Sequence, residues 1–165
     1  MSTAPLVQRA LASALTGLLA LASAATAQPR RPVAQLDPRP APPTVAAGST
    51  TRLVLRVTLP EGIHVQAHEP GDPLLIPTVA TITAPVGVRL GGVKYPTPTR
   101  FAQAGRDTPL LALGPVFDVE VDATVDASVA EASIEVPVVL RYQACDDRTC
   151  FPPARASAVW RIAVR

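Results

Sequence analysis

The sequence predicts an all-β fold, a single-domain antiparallel β-sandwich. Three observations carry that expectation. Apolar residues recur with a period of two in several segments, proline and glycine clusters separate those segments, and no segment beyond the N-terminal apolar run shows a 3.6-residue period. Seven or eight short strands joined by turns bury one face each by packing sheet on sheet.

The strands are justified in order. From Thr51, residues Leu53, Leu55, Val57 and Leu59 fall on one face, with Arg52, Arg56 and Thr58 on the other. Pro60-Glu61-Gly62 supplies turn chemistry, and a short strand follows over Ile63 to His68. Glu69 to Pro73 closes it. Leu74 to Thr83 is β-branched and apolar; Val86 to Tyr95 is similar, with Gly91-Gly92 marking a bulge or tight turn. Tyr95 to Pro109 reads as a loop long enough to cover something. Phe117, Val119 and Val121 alternate with Asp118, Glu120 and Asp122, a strand with an acidic outer face. Ile134, Val136, Val138 and Leu140 form the next inward face. Ala158, Trp160, Ile162 and Val164 form the last, and Trp160 reads as core packing rather than a ligand platform.

Residues 1 to 27 stand outside this pattern. A short segment with one positive charge, Arg9, precedes an apolar run over Ala10 to Ala25, and Ala25-Thr26-Ala27 is a small-x-small cleavage site. This is the pattern of a secretory signal peptide, since the run falls short of the about 20 residues a membrane span needs. Cleavage leaves 138 of the 165 residues, enough for one domain with one core. No later segment is long and apolar enough to span, so the processed protein is expected to be soluble. Residues 28 to 44 carry six prolines and two adjacent arginines, which predicts an extended linker or arm, with the domain over 45 to 165.

Charge excludes one class of partner. Lysine and arginine number 15 against 13 acidic residues, and no basic patch is interleaved with aromatics, so no nucleic acid is expected. No glycine-rich phosphate loop and no serine or cysteine beside a motif-like base is present, and no cofactor is expected.

The chemistry concentrates in Tyr142-Gln-Ala-Cys145-Asp-Asp-Arg-Thr-Cys150-Phe-Pro-Pro153, which holds both cysteines. Export places them where a disulfide persists. A loop of about six residues stabilises by roughly 2 kcal/mol, against roughly 4.7 for about 100 residues. A staple gains more by joining distant strands, and a short loop suits an exchangeable bond, yet small local disulfides are also structural; spacing alone leaves both readings open. Asp146 and Asp147 disfavour a thiolate, while Arg148 favours it.

The cysteine block resembles the cysteine hairpin of the N-terminal periplasmic domain of the DsbD thiol:disulfide interchange family. Gly62-Ile-His64-Val-Gln-Ala-His68-Glu-Pro70, running on to Leu75-Ile-Pro77-Thr, and Val93-Lys-Tyr95-Pro96 agree in order and rough spacing, so the resemblance covers about residues 45 to 165. It implies an immunoglobulin-like sandwich that passes electrons from a membrane-embedded or thioredoxin-like thiol donor to oxidised periplasmic proteins. It further implies that Cys150 bonds to partners and Cys145 resolves. The loop between the cysteines is one residue shorter than in the best-known family member. Tyr95 to Phe101 matches the family's cap region without its acidic residues, offering Tyr95 and Phe101 as lids, with Tyr142 and Phe151 shaping the site. The family's transporter and thioredoxin-like parts are expected on another chain. His64 and His68 with the two cysteines would make four zinc ligands, but the pairs lie far apart in sequence and oxidation removes the sulfurs, so no metal is expected.

Overall fold

Alternation of side chains about the extended backbone decides most of the architecture. In the computed structural model, which describes residues 31–130 and 132–165, Leu53, Leu55 and Val57 point inward from one strand while Arg52, Val54 and Arg56 stay partly or fully exposed. The strands are β1 (Gln35–Ala41), β2 (Thr44–Val45), β3 (Thr50–Thr58), β4 (His64–Gln66), β5 (Val79–Ile82), β6 (Val88–Leu90), β7 (Thr99–Phe101), β8 (Leu110–Leu113), β9 (Val116–Val125), β10 (Ser133–Tyr142), β11 (Ala144–Cys145) and β12 (Ala154–Val164). No helix occurs among the described residues, and so none is long and apolar enough to cross a membrane. The signal peptide expected over 1–27 lies outside the described residues.

Two four-stranded sheets, in the orders β1-β3-β9-β6 and β2-β12-β10-β5, enclose the core of an immunoglobulin-like sandwich. Leu53, Leu55, Val57, Val119 and Val121 from the first meet Val136, Val138, Leu140, Trp160 and Ile162 from the second. Trp160 is buried as expected, and its indole N–H donates across the sandwich to the Val54 carbonyl at 2.9 Å. The acidic outer face of β9 finds its complement on β3. Arg56 stands opposite Asp118 and donates to both carboxylate oxygens at 2.9 and 3.0 Å, and Arg52 reaches Asp122 at 3.5 Å.

The proline-rich segment corrects the linker expected over 28–44. Gln35–Ala41 pairs antiparallel with β3 in full register, Leu36 opposite Val57 and Pro38 opposite Leu55. β1 is an edge strand, and Pro38 and Pro40 share one parity. Both therefore fit positions whose missing N–H faces away from β3, where proline costs no ladder bond. The chain then switches sheets at Pro42-Pro43, and β2 runs parallel to the end of β12.

A third sheet, β11-β4-β8-β7, carries the site at one end of the sandwich. The loop expected over Tyr95 to Pro109 contains β7, which pairs with β8 through Phe101 opposite Leu110. β8 escaped the alternation test because Leu110-Leu111-Ala112-Leu113 is apolar throughout.

Candidate functional site

The cysteine hairpin is built by its turn. Cys145 and Cys150 form a disulfide with S–S 2.05 Å and face each other as a bridge pair. Backbone bonds run from Phe151 N–H to Ala144 O at 2.8 Å and from Asp146 N–H to Thr149 O at 2.9 Å. Inside the turn, one Asp146 carboxylate oxygen accepts from the N–H groups of Arg148 at 2.9 Å and Thr149 at 2.7 Å. Those two bonds, from Arg148 first and then Thr149, hold the Asp146 carboxyl below its ordinary range. This answers what a carboxylate does beside the cysteines: it organises the loop. Arg148, the one cation the sequence offered to a thiolate, is 83% exposed and leans toward Asp147 at 3.8 Å.

The three sequence blocks converge here. β4 pairs with β11, placing His64 opposite Cys145. Ile63, just ahead of β4, and Val65 on it join the core, so His64 and Gln66 occupy the opposite face. Thr78 fastens this segment, its hydroxyl donating to Gln66 O at 2.5 Å and its carbonyl lying 3.0 Å from His68 Nδ1. Tyr95 stacks on His68 with ring centroids 4.0 Å apart, and its hydroxyl accepts the Ala80 N–H at 2.8 Å. Burial is the larger influence on that phenol and raises its pKa.

The structure separates the aromatic candidates. Phe101 stacks on His64, centroids 4.0 Å apart, next to the cysteine strand. Tyr95 belongs to the His68 and Ala80 cluster. Tyr142 turns into the core, where its hydroxyl accepts the Ala34 N–H at 2.9 Å. Phe151 packs partly against the core and lends its carbonyl to the Gln143 amide at 3.3 Å. Two residues just past β7 make the direct contacts with the turn. Ala104 N–H donates to Asp147 O at 2.7 Å, and Gln103 Nε2 donates to Asp146 O at 3.1 Å and lies 3.6 Å from Cys150 Sγ. From the other side, Gln66 Nε2 lies 3.2 Å from Cys145 Sγ and 3.7 Å from Cys150 Sγ.

Sequence reasoning missed Gln66 and Gln103 as site residues. Gln66 sat in a quoted block without a role, and glutamine carries no spacing signature. The available signal for Gln66 was its two-residue offset from His64, which shares a strand face with it. The two sulfurs differ in access, Cys145 being 2% exposed and Cys150 only half-buried. Among the described residues no group of three or more His, Cys, Asp or Glu could hold a metal ion.

A disulfide-bonded cysteine pair on one hairpin, set at the end of an all-β sandwich and flanked by polar amides, defines the class of domain. The family described as thiol:disulfide interchange protein DsbD, N-terminal, matches residues 33–159, beginning ahead of β1. The chain belongs to that family. Among solved structures it is similar to the N-terminal periplasmic domain of ScsB from Proteus mirabilis, with TM-score 0.50 and 14% identity over 79% of this chain. The chain spans 46% of that structure's length. It is also similar to the reduced N-terminal domain of Neisseria meningitidis DsbD, with TM-score 0.42 and 15% identity over 78% of this chain and 84% of that one. The GAE domain of GGA2p from Saccharomyces cerevisiae has the same TM-score, 0.42, at 11% identity, over 82% of this chain and 93% of that one. A comparison with curated proteins gives no match.

Proposed function

We propose that this domain is a periplasmic thiol–disulfide exchange module, with Cys150 as the thiol that bonds to partners and Cys145 as the thiol that resolves. It takes two electrons from a thioredoxin-like or membrane-embedded thiol donor on another chain and passes them to oxidised periplasmic proteins. The observation that carries this reading is the asymmetry of the hairpin. A short-loop disulfide presents one half-buried sulfur, Cys150, and keeps the other, Cys145, buried behind it. Exchange needs that division, because the outer sulfur must meet a partner in line while the inner one stays within reach to release it. Membership of the DsbD N-terminal family and the described setting of the ScsB domain support the same function and compartment.

The test is a pair of single-cysteine variants expressed with export. Cys145→Ser should accumulate a mixed disulfide with a thioredoxin-like protein on non-reducing gels, and Cys150→Ser should not. Trapping by neither variant, with a wild-type potential below about −300 mV, would mean a structural staple and end the exchange reading.

A further inference from the structure

We propose that Gln66, assisted by Gln103, is the hydrogen-bond donor that stabilises negative charge on the cysteine sulfurs during exchange. This rests on the exchange reading and deepens it. Gln66 is 1% exposed, and among the described residues its side chain has hydrogen-bond partners only in Cys145 Sγ and Cys150 Sγ. Its Oε1 is buried with no partner at all. A fully buried amide that leaves its oxygen unsatisfied while aiming its N–H groups at two sulfurs is poorly explained by packing, since an apolar residue of that shape would fill the space without orphaning a polar atom. Gln103, 8% exposed, brings a second amide to within 3.6 Å of Cys150 Sγ while its Nε2 is held by Asp146 O.

The chemistry defines where such donors act. In the first step the Cys150 thiol loses its proton and attacks a partner disulfide; the partner's S–S bond breaks, and one partner sulfur leaves as a thiolate and is protonated. In the second step Cys145 loses its proton and attacks Cys150 Sγ; the mixed disulfide breaks and the second partner sulfur leaves and is protonated. Two electrons move to the partner, and the Cys145–Cys150 bond re-forms. The second step puts a negative charge on a sulfur that is almost wholly buried, and burial disfavours thiolate. The ionisable groups on the hairpin and opposite it on β4 are His64 and the turn residues Asp146, Asp147 and Arg148. Asp146 is occupied by backbone N–H groups, and Arg148 leans toward Asp147. His64 Nδ1 is buried without a partner, and the His64 ring stacks on Phe101. The neutral amide of Gln66 is thus the donor seated on the inner sulfur.

The experiment is a thiolate titration of the reduced full chain by ultraviolet absorbance, comparing wild type with Gln66→Met, which keeps the volume and removes the donor. Read in a Cys150→Ser background, the Cys145 thiol midpoint should rise by about one unit, a roughly tenfold loss of its thiolate. An unchanged midpoint in a folded variant overturns the proposal. Nuclear magnetic resonance on the unsubstituted chain provides the second arm and stands even if the variant fails to fold. The Gln66 side-chain amide protons should shift at the same midpoint as the thiolate signal, and a Gln66 amide that ignores the titration overturns the proposal. The two readings fail separately. A moving titration with no trapped partner removes exchange and keeps the hydrogen bond, whereas a working trap with an unmoved titration removes the role of Gln66 alone.

Discussion

Replacing Asp146 by alanine should make the disulfide easier to reduce. The carboxylate accepts two N–H groups inside the turn, at 2.9 and 2.7 Å, much as a helix N-cap satisfies free N–H groups. Removing such an acceptor typically costs about 1 kcal/mol. The two bonds hold the loop in the shape that the closed ring requires, and a reduced loop that is free to open draws less from them, so their loss falls mainly on the disulfide form. In Asp146→Ala the open dithiol relaxes, and closing the ring must organise the loop without them. For a two-electron couple about 1.4 kcal/mol corresponds to roughly 30 mV, so the potential should rise by about 20 mV, readable against a glutathione or dithiothreitol buffer series. Asp146→Asn retains an acceptor oxygen and should shift the potential far less. The pH dependence has a definite sign. The folded carboxyl sits below its unfolded value, so its stabilisation is fully present above about pH 4 and is lost as pH falls through the lowered folded value. A potential for Asp146→Ala within about 5 mV of wild type, or an equal shift in Asp146→Asn, would refute the turn argument, the second outcome pointing to charge alone.

Three other outcomes are expected. Tyr142→Phe leaves the buried Ala34 N–H without its acceptor and should cost roughly 1–3 kcal/mol in denaturant unfolding. Gly114→Ala should destabilise by roughly 1–3 kcal/mol, because φ at Gly114 is +141° and a Cβ there would lie 3.1 Å from Leu59 Cδ1 and 3.2 Å from the Ile63 carbonyl oxygen; a midpoint equal to wild type in the same assay would show that the junction into β9 has slack. Intact mass of the exported protein should correspond to a chain starting at Gln28 or within a residue or two, and retention of Met1 to Ala27 would contradict cleavage.

The long strands were legible because burial on one face writes itself into the sequence with period two. Thr50–Thr58, Val116–Val125 and Ser133–Tyr142 all keep that rhythm, and the structure returns each with the expected face inward. β1 was hidden by its prolines. Pro38 and Pro40 lower strand propensity on average, but an edge position removes the reason for that penalty, and only the sheet order reveals which strand is an edge. β11 has two residues and β7 three, too few for any period to show. At the site the cysteines announce themselves by reactivity and spacing. Gln66 meets Cys145 across 79 positions of sequence and Gln103 meets Cys150 across 47, contacts that arise only once β4, β11 and the segment past β7 are brought side by side.

The pairing of β2 with β12 has a kinetic consequence. Thr44 and Val45 lie against Ala163 and Val164, Arg165 N–H donates to the Val45 carbonyl, and Ala34 is fastened to Tyr142. Early residues of the domain are thus completed by late ones, with more than a hundred positions of chain between them. Closing a loop of that length must be achieved before its contacts can repay the lost freedom, so this topology belongs with the slow folders among small domains. Until residues 154 to 165 become available, β10 lacks its long antiparallel neighbour and Trp160 is missing from the space between the sheets. The core between the two sheets is therefore incomplete until β12 is in place, and the hairpin that carries the disulfide lies between β10 and β12.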